Sequence, residues 1–218
     1  ALALGQLTRL PWWEGTARPS AVVCLVGPLG VVGTRVEETV RCEEVELEAW
    51  QASDKVPEGV FERSFGSKGT GNGQFSEPRG LTVAGEEVFV ADYGNDRIAV
   101  HGVDGAFLRS FGTLGSGDGQ FSGPRDVAVS GANVFVCDGG NHRACVHGLD
   151  GTFLRSFGSR GSGAGQFIVP RGLSVAGDRV YVTDVGNHRV SVHDLQGTFL
   201  LSFGGHGSGV GQFKCPHA

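Results

Sequence analysis

Ser-Phe-Gly occurs four times in this chain, with its phenylalanine at Phe65, Phe111, Phe157 and Phe203, and every interval is 46 residues. Gly-Gln-Phe keeps the same step, ending at Phe75, Phe121, Phe167 and Phe213. A Pro-Arg pair follows at Pro78-Arg79, Pro124-Arg125 and Pro170-Arg171, and Pro216-His217 takes its place in the fourth period. A fixed period of this length marks a repeat architecture, in which one supersecondary unit is stacked on copies of itself.

The content of one period fixes what that unit is. Residues 80–84 (GLTVA), 87–92 (EVFVAD), 97–101 (RIAVH) and 107–111 (FLRSF) are short runs rich in β-branched and aromatic residues. Turn residues close them: Ala84-Gly85, Tyr93-Gly94-Asn95 and Asp104-Gly105. Connections this short join antiparallel neighbours, so each period is a four-stranded meander. Such a sheet cannot bury both faces alone. Val88 and Val90 would face one neighbouring unit and Phe89 the other, and radial stacking buries both faces. The expected fold is therefore all-β: a partial β-propeller of four-stranded antiparallel blades around an axis. Residues 66–73 (GSKGTGNG) would carry the chain from an outer strand to the next inner strand, over a path that suits glycine.

The unit FLRSFGSxGSGxGQF…PRGLxVxG…VYVxDxGNHRVxVxDxxG resembles the NHL repeat. Residues 153–197 match it best, through Gly165-Gln166-Phe167, Pro170-Arg171-Gly172, Val182-Thr183-Asp184 and Gly186-Asn187-His188-Arg189. The resemblance covers residues 61–218 and implies a propeller. It does not imply one activity, since such proteins include tripartite-motif ubiquitin ligases, RNA-binding translational repressors, bacterial sensor domains and a peptidyl-amidating lyase. The family usually closes with six blades, whereas three complete periods and the start of a fourth stand here. The expectation is a fragment, or an arc completed by more blades or by self-association.

Residues 1–60 lack the repeat. Stretches 21–26 and 31–36 read as strands; 44–50 (EVELEAW) alternates as a half-exposed strand does, with a helix as competitor. This divergent segment is read as a degenerate blade, with a separate segment or disorder as the alternatives. It holds nine acids against five bases, so most of the formal net charge of −5 lies here. The remainder carries a balance of −1, so a bulk basic surface for nucleic acid is not present, while a local basic patch stays open. Five cysteines form no CxxC pair, which favours reduced thiols and a cytoplasmic or otherwise intracellular location. No apolar stretch is long enough for a membrane-spanning helix, and no association with a membrane is expected.

Arg79, Arg125, Arg171 and His217 form the candidate ligand-binding group. Each follows a proline just ahead of the innermost strand, which would gather them at one mouth of the axis and attract phosphate or carboxylate. The alternative is architectural, each arginine pairing with Asp92, Asp138 or Asp184 of the blades. The resemblance implies zinc-ligating histidines at matching positions of the amidating lyase; arginine cannot ligate metal. His101, His147 and His193 are equivalent positions on separate blades, which suits packing and not a shared ion. His142 and His188 belong to Gly-Asn-His-Arg turns where Asp96 stands in the first blade. The neighbouring Asn95, Asn141 and Asn187 are expected to supply turn hydrogen bonds or left-handed backbone, and Arg97, Arg143 and Arg189 to bond across the hairpin. Cys137 and Cys145 flank one turn and are read as packing residues, with a disulfide or metal pair as the alternative.

No phosphate loop, nucleophile elbow or HExxH motif is present, so no catalytic residue, cofactor or metal is expected. The leading expectation is a non-enzymatic module for protein or peptide interaction. The alternative is single-stranded RNA binding through Arg79, Arg125 and Arg171 with Lys68 or Arg160, and a weaker one is a lyase or hydrolase with its site in further blades.

Overall fold

The computed structural model describes residues 63–217, within a unit spanning Gly59–Ala218. The strands and degenerate blade expected in residues 1–60 lie outside the described residues. Two short strands, β1 (Ser67–Lys68) and β2 (Gln74–Phe75), pair in parallel within the first crossing loop. Three four-stranded antiparallel sheets follow. Blade one is β3 (Pro78–Ala84), β4 (Glu87–Asp92), β5 (Arg97–Gly102) and β6 (Phe107–Phe111). Blade two is β7 (Pro124–Ser130), β8 (Asn133–Asp138), β9 (Arg143–Gly148) and β10 (Phe153–Phe157). Blade three is β11 (Pro170–Ala176), β12 (Arg179–Asp184), β13 (Arg189–Asp194) and β14 (Phe199–Gly204). Each strand pairs with its sequence neighbours, as a meander requires. The all-β partial propeller expected from the period is what forms.

Alternation along each second strand divides the apolar residues between two interfaces. Phe89 and Ala91 of β4 pack with Ile98 and Val100 of β5 against Val127, Val134 and Val136 of blade two. The next residue along, Phe135, points the other way, and with Cys137, Ala144 and Val146 it packs against Leu173, Val180 and Val182 of blade three. Burying each such side chain is worth about 1.5–3 kcal/mol, so the inter-blade surfaces hold the arc together. Cys145 lies in the first of these cores and Cys137 in the second, on opposite faces of one sheet. Both are free and buried, which excludes a bridge between them. Burial pushes the Cys145 thiol up to about 12 and Cys137 well above the ordinary range, so both stay protonated.

The repeated histidines form an aromatic layer, as expected of packing residues. His147 lies 5.0, 5.3 and 5.5 Å from the ring centroids of Phe111, Phe121 and Phe153. His101 and His193 are held by Phe65, Phe75 and Phe107 and by Phe157, Phe167 and Phe199. In all three, Nδ1 stands 3.0–3.2 Å from a turn carbonyl, of Gly105, Gly151 or Gly197, to which it donates. That leaves Nε2 as a bare acceptor. Ser191 Oγ supplies the donor for His193 at 3.0 Å, whereas His101 and His147 have no partner at Nε2 among the described residues, because Ala99 and Cys145 occupy the equivalent position. Burial lowers the proton affinity of His147 and His193, outweighing the carbonyl of Gly151 or Gly197.

Glycine in the crossing loops answers a steric demand. At Gly112 φ is +97°, and a Cβ there would drive into the buried ring of Phe121. Of the two roles expected of the turn asparagines, hydrogen bonding is the one they take: Asn95, Asn141 and Asn187 donate to Asp92, Asp138 and Asp184. The left-handed positions are the residues after them, Asp96, His142 and His188 (φ 50°, 57° and 55°).

A candidate axial anion site

Two sets of arginines recur once per blade, and their surroundings differ completely. In the first set, Asp138 ends β8 directly opposite Arg143 at the start of β9. Its Oδ2 accepts from Arg143 Nε at 2.9 Å and from Asn141 Nδ2 at 2.8 Å, while Oδ1 accepts the backbone N–H of Ser122 at 2.8 Å. The terminal nitrogens of Arg143 donate to the carbonyls of Ser116, Gly117 and Gln120 at 2.9–3.0 Å. One buried ion pair thus ties the hairpin to the crossing loop. Asp92 with Arg97 and Asp184 with Arg189 repeat it. These arginines bond across their hairpins as expected.

The second set is Arg79, Arg125 and Arg171. The architectural alternative, in which they pair with Asp92, Asp138 and Asp184, is overturned: those carboxylates are filled by the first set. The reason is register. A tight turn sets Arg97 opposite Asp92, while a bulge between Pro78 and Leu81 takes Arg79 out of the ladder. Bulges at Pro124/Asp126 and Pro170/Leu173 do the same for Arg125 and Arg171. These residues sit second in β3, β7 and β11, not ahead of the inner strands, because the strands begin at the prolines.

All four candidate residues come together. Arg79, Arg125, Arg171 and His217, with Gly80 and Asp126, line a cavity of about 270 Å³. Arg171 Nη1 stands 3.1 and 3.0 Å from the two ring nitrogens of His217. Arg79 contacts Glu77 at 3.6 Å, with both side chains exposed, a pair worth little. Burial, then the charges of Arg171 and Arg79, weaken the hold of Arg125 on its proton. Lys68 and Arg160, grouped with the axial arginines in the RNA alternative, are not among the lining residues.

Asp126 is the site residue that sequence reasoning missed. It stands where the other blades have Gly80 and Gly172, and that break in an otherwise uniform motif was its signal. Its Oδ2 accepts the N–H of Leu173 at 2.8 Å, and Oδ1 that of Val127 at 2.9 Å. Burial raises its proton affinity against those two bonds.

A second device aims the axial residues. The residue before each proline has positive φ: Glu77, Gly123, Val169 and Cys215. The N–H of Gly123 is accepted by Asp96 Oδ1 at 2.7 Å, that of Val169 by His142 Nδ1 at 3.0 Å, and that of Cys215 by His188 Nδ1 at 3.1 Å. The left-handed turn residue of one blade thereby clamps the entry to the next blade's axial residue. Aspartate in the first blade and histidine in the next two serve equally there because each offers an acceptor at the same place.

The NHL repeat family model matches residues 167–192, which run through β11 and β12 into β13. Solved structures similar in fold include hydrazine synthase of Kuenenia stuttgartiensis, at 15% identity and TM-score 0.48, over 65% of this chain and 40% of that one. A catalytically inactive virginiamycin B lyase from Staphylococcus aureus with quinupristin matches at 15% identity and TM-score 0.48, over 63% and 42%. A nidogen/laminin complex matches at 19% and 0.45, over 59% and 47%. This chain spans less than half of each of those chains. No curated protein matches it in sequence. Among the described residues no helix is long and apolar enough to cross a membrane.

Proposed function

We propose that this chain, an NHL-repeat β-propeller arc, is a non-enzymatic interaction module that engages a protein or peptide partner through its axial face. The observation that carries this reading is the contrast in charge accounting. Arg97, Arg143 and Arg189 are consumed by the blades, whereas Arg79, Arg125 and Arg171 converge on one cavity whose lining carboxylate, Asp126, is taken up by backbone N–H groups and forms no ion pair with them. Cations held this way recruit an anionic group from outside. The blades supply a rigid frame for the loops that would meet a partner. Residues 63–217 carry thirteen basic and thirteen acidic side chains, a balance that favours a local contact over the extended basic track RNA requires. The expected setting is intracellular.

Capture of partners by wild type and by the R79Q/R125Q/R171Q variant tests the reading. The variant should lose the partners that wild type retains, with its melting temperature preserved. An unchanged set of captured proteins would overturn it.

A further inference from the structure

The 46-residue pattern is broken at two positions beside the axis, and both breaks bear on Arg125. The residue after the second strand is Tyr93, Gly139 and Val185 in successive blades. Arg79 Cζ stands 4.0 Å from the Tyr93 ring centroid and Arg125 Cζ 5.2 Å, so one ring supports two guanidiniums. Gly139 leaves clearance on the other side. A Cβ there would lie 2.6 Å from Arg125 Cδ and 2.9 Å from the carbonyl oxygen of Pro170. The second break is Asp126, whose two oxygens are taken by backbone N–H groups. Arg125 is thus seated between Tyr93 and Gly139, and among the described residues it forms neither an ion pair nor a hydrogen bond; its Nε is buried without a partner.

Resting on the reading that the axial face meets the partner, the geometry points to a single-carboxylate pocket centred on Arg125 and Arg171. It receives one carboxylate of that partner, from an aspartate or glutamate side chain or from a chain terminus. A guanidinium presents a planar fork of donors that matches a carboxylate. The cavity, at about 270 Å³, is large enough to admit a carboxylate on its stem. Tyr93 is a platform for cations, its ring already in contact with Arg79, so it is not open for the base stacking that single-stranded RNA uses. Asp126 acts as a negative neighbour that limits how tightly the pocket holds an anion.

The test measures fluorescence anisotropy with a hexaglutamate peptide blocked at both ends, blocked hexaglutamine, hexaglutamine with a free C-terminal carboxylate, and hexauridine RNA. Wild type should bind hexaglutamate or the free-terminus peptide at least about tenfold more tightly than blocked hexaglutamine, given what a charged hydrogen bond contributes. Which of the two binds identifies the source of the carboxylate. R125Q should abolish that preference, while R160Q, the same charge change at an exposed site, should keep it. D126N should tighten hexaglutamate binding severalfold, a direction that a purely structural role for Asp126 would not produce. Equal binding of hexaglutamate, free-terminus and blocked hexaglutamine by wild type overturns the carboxylate pocket, as does tighter binding of hexauridine. Either result leaves the partner-binding reading intact if the triple arginine variant still loses its partners. If that variant captures them all, both fall.

Discussion

Arg143 and Arg125 belong to the same blade, recur with the same period and carry the same charge, yet one is absorbed by the fold and the other is not. Arg143 gives Nε to a carboxylate with no solvent exposure and its terminal nitrogens to three loop carbonyls. Arg125 lies between a tyrosine ring and a bare glycine, facing a cavity. Recurrence in every blade therefore does not separate architecture from function. What separates them is whether each donor and charge has been matched within the chain.

The largest effect that would sharpen this contrast is expected at the knot. R143Q leaves Asp138 buried and uncompensated, and should lower the unfolding free energy by about 3–5 kcal/mol, read by urea denaturation. A loss below about 1 kcal/mol would break the distinction between the two sets. G112A comes next, because the new methyl group meets the Phe121 ring at a positive φ. It should destabilise by about 2–3 kcal/mol, against about 1 kcal/mol for G85A, which keeps the strain of a positive φ (+59°) but meets open space. A99S should act in the opposite sense, giving His101 Nε2 the donor that Ser191 gives His193 and raising stability by about 1 kcal/mol.

Acid supplies a further comparison. His147 and His193 have lowered folded-state proton affinities, with burial as the leading cause. The unfolded chain then binds more protons below its own histidine range near ~6.5. The neutral rings contribute stability that is present above that range and lost as pH falls through the folded values. Melting temperature should decline between pH 7 and pH 5, and less so in H147F; a flat profile would contradict the assignment. The smallest effect is expected at the axis, where R125Q should change stability by less than about 0.5 kcal/mol, since it removes a crowded cation that has neither an ion pair nor a hydrogen bond among the described residues.

The strands were legible because alternation and turn residues speak locally. Residues 87–92 and 107–111 agree with β4 and β6 in full. The inner strands were shortened by two residues, because proline and glycine around Arg79 signal a break where the chain makes a bulge. The convergence of Arg79, Arg125, Arg171 and His217 followed from the repeat alone. Their partners did not, since a pairing across a bulge has no fixed offset in sequence, whereas Asp92 and Arg97 flank a tight turn that sets them opposite each other. Asp126 was hidden by attention to what recurs. At a cavity assembled by repetition, the departures from the repeat set what surrounds the recurring arginines.

The clamp from Asp96, His142 and His188 across to Gly123, Val169 and Cys215 bears on how this axial face can be rebuilt in another scaffold. The backbone two residues ahead of Arg125 is held from blade one and that ahead of Arg171 from blade two, so neither anchor lies in the blade that encodes the arginine. Transplanting one blade into another scaffold would move the guanidinium and leave its anchor behind. The transferable element is the seam between adjacent blades, cut through the middle of each sheet.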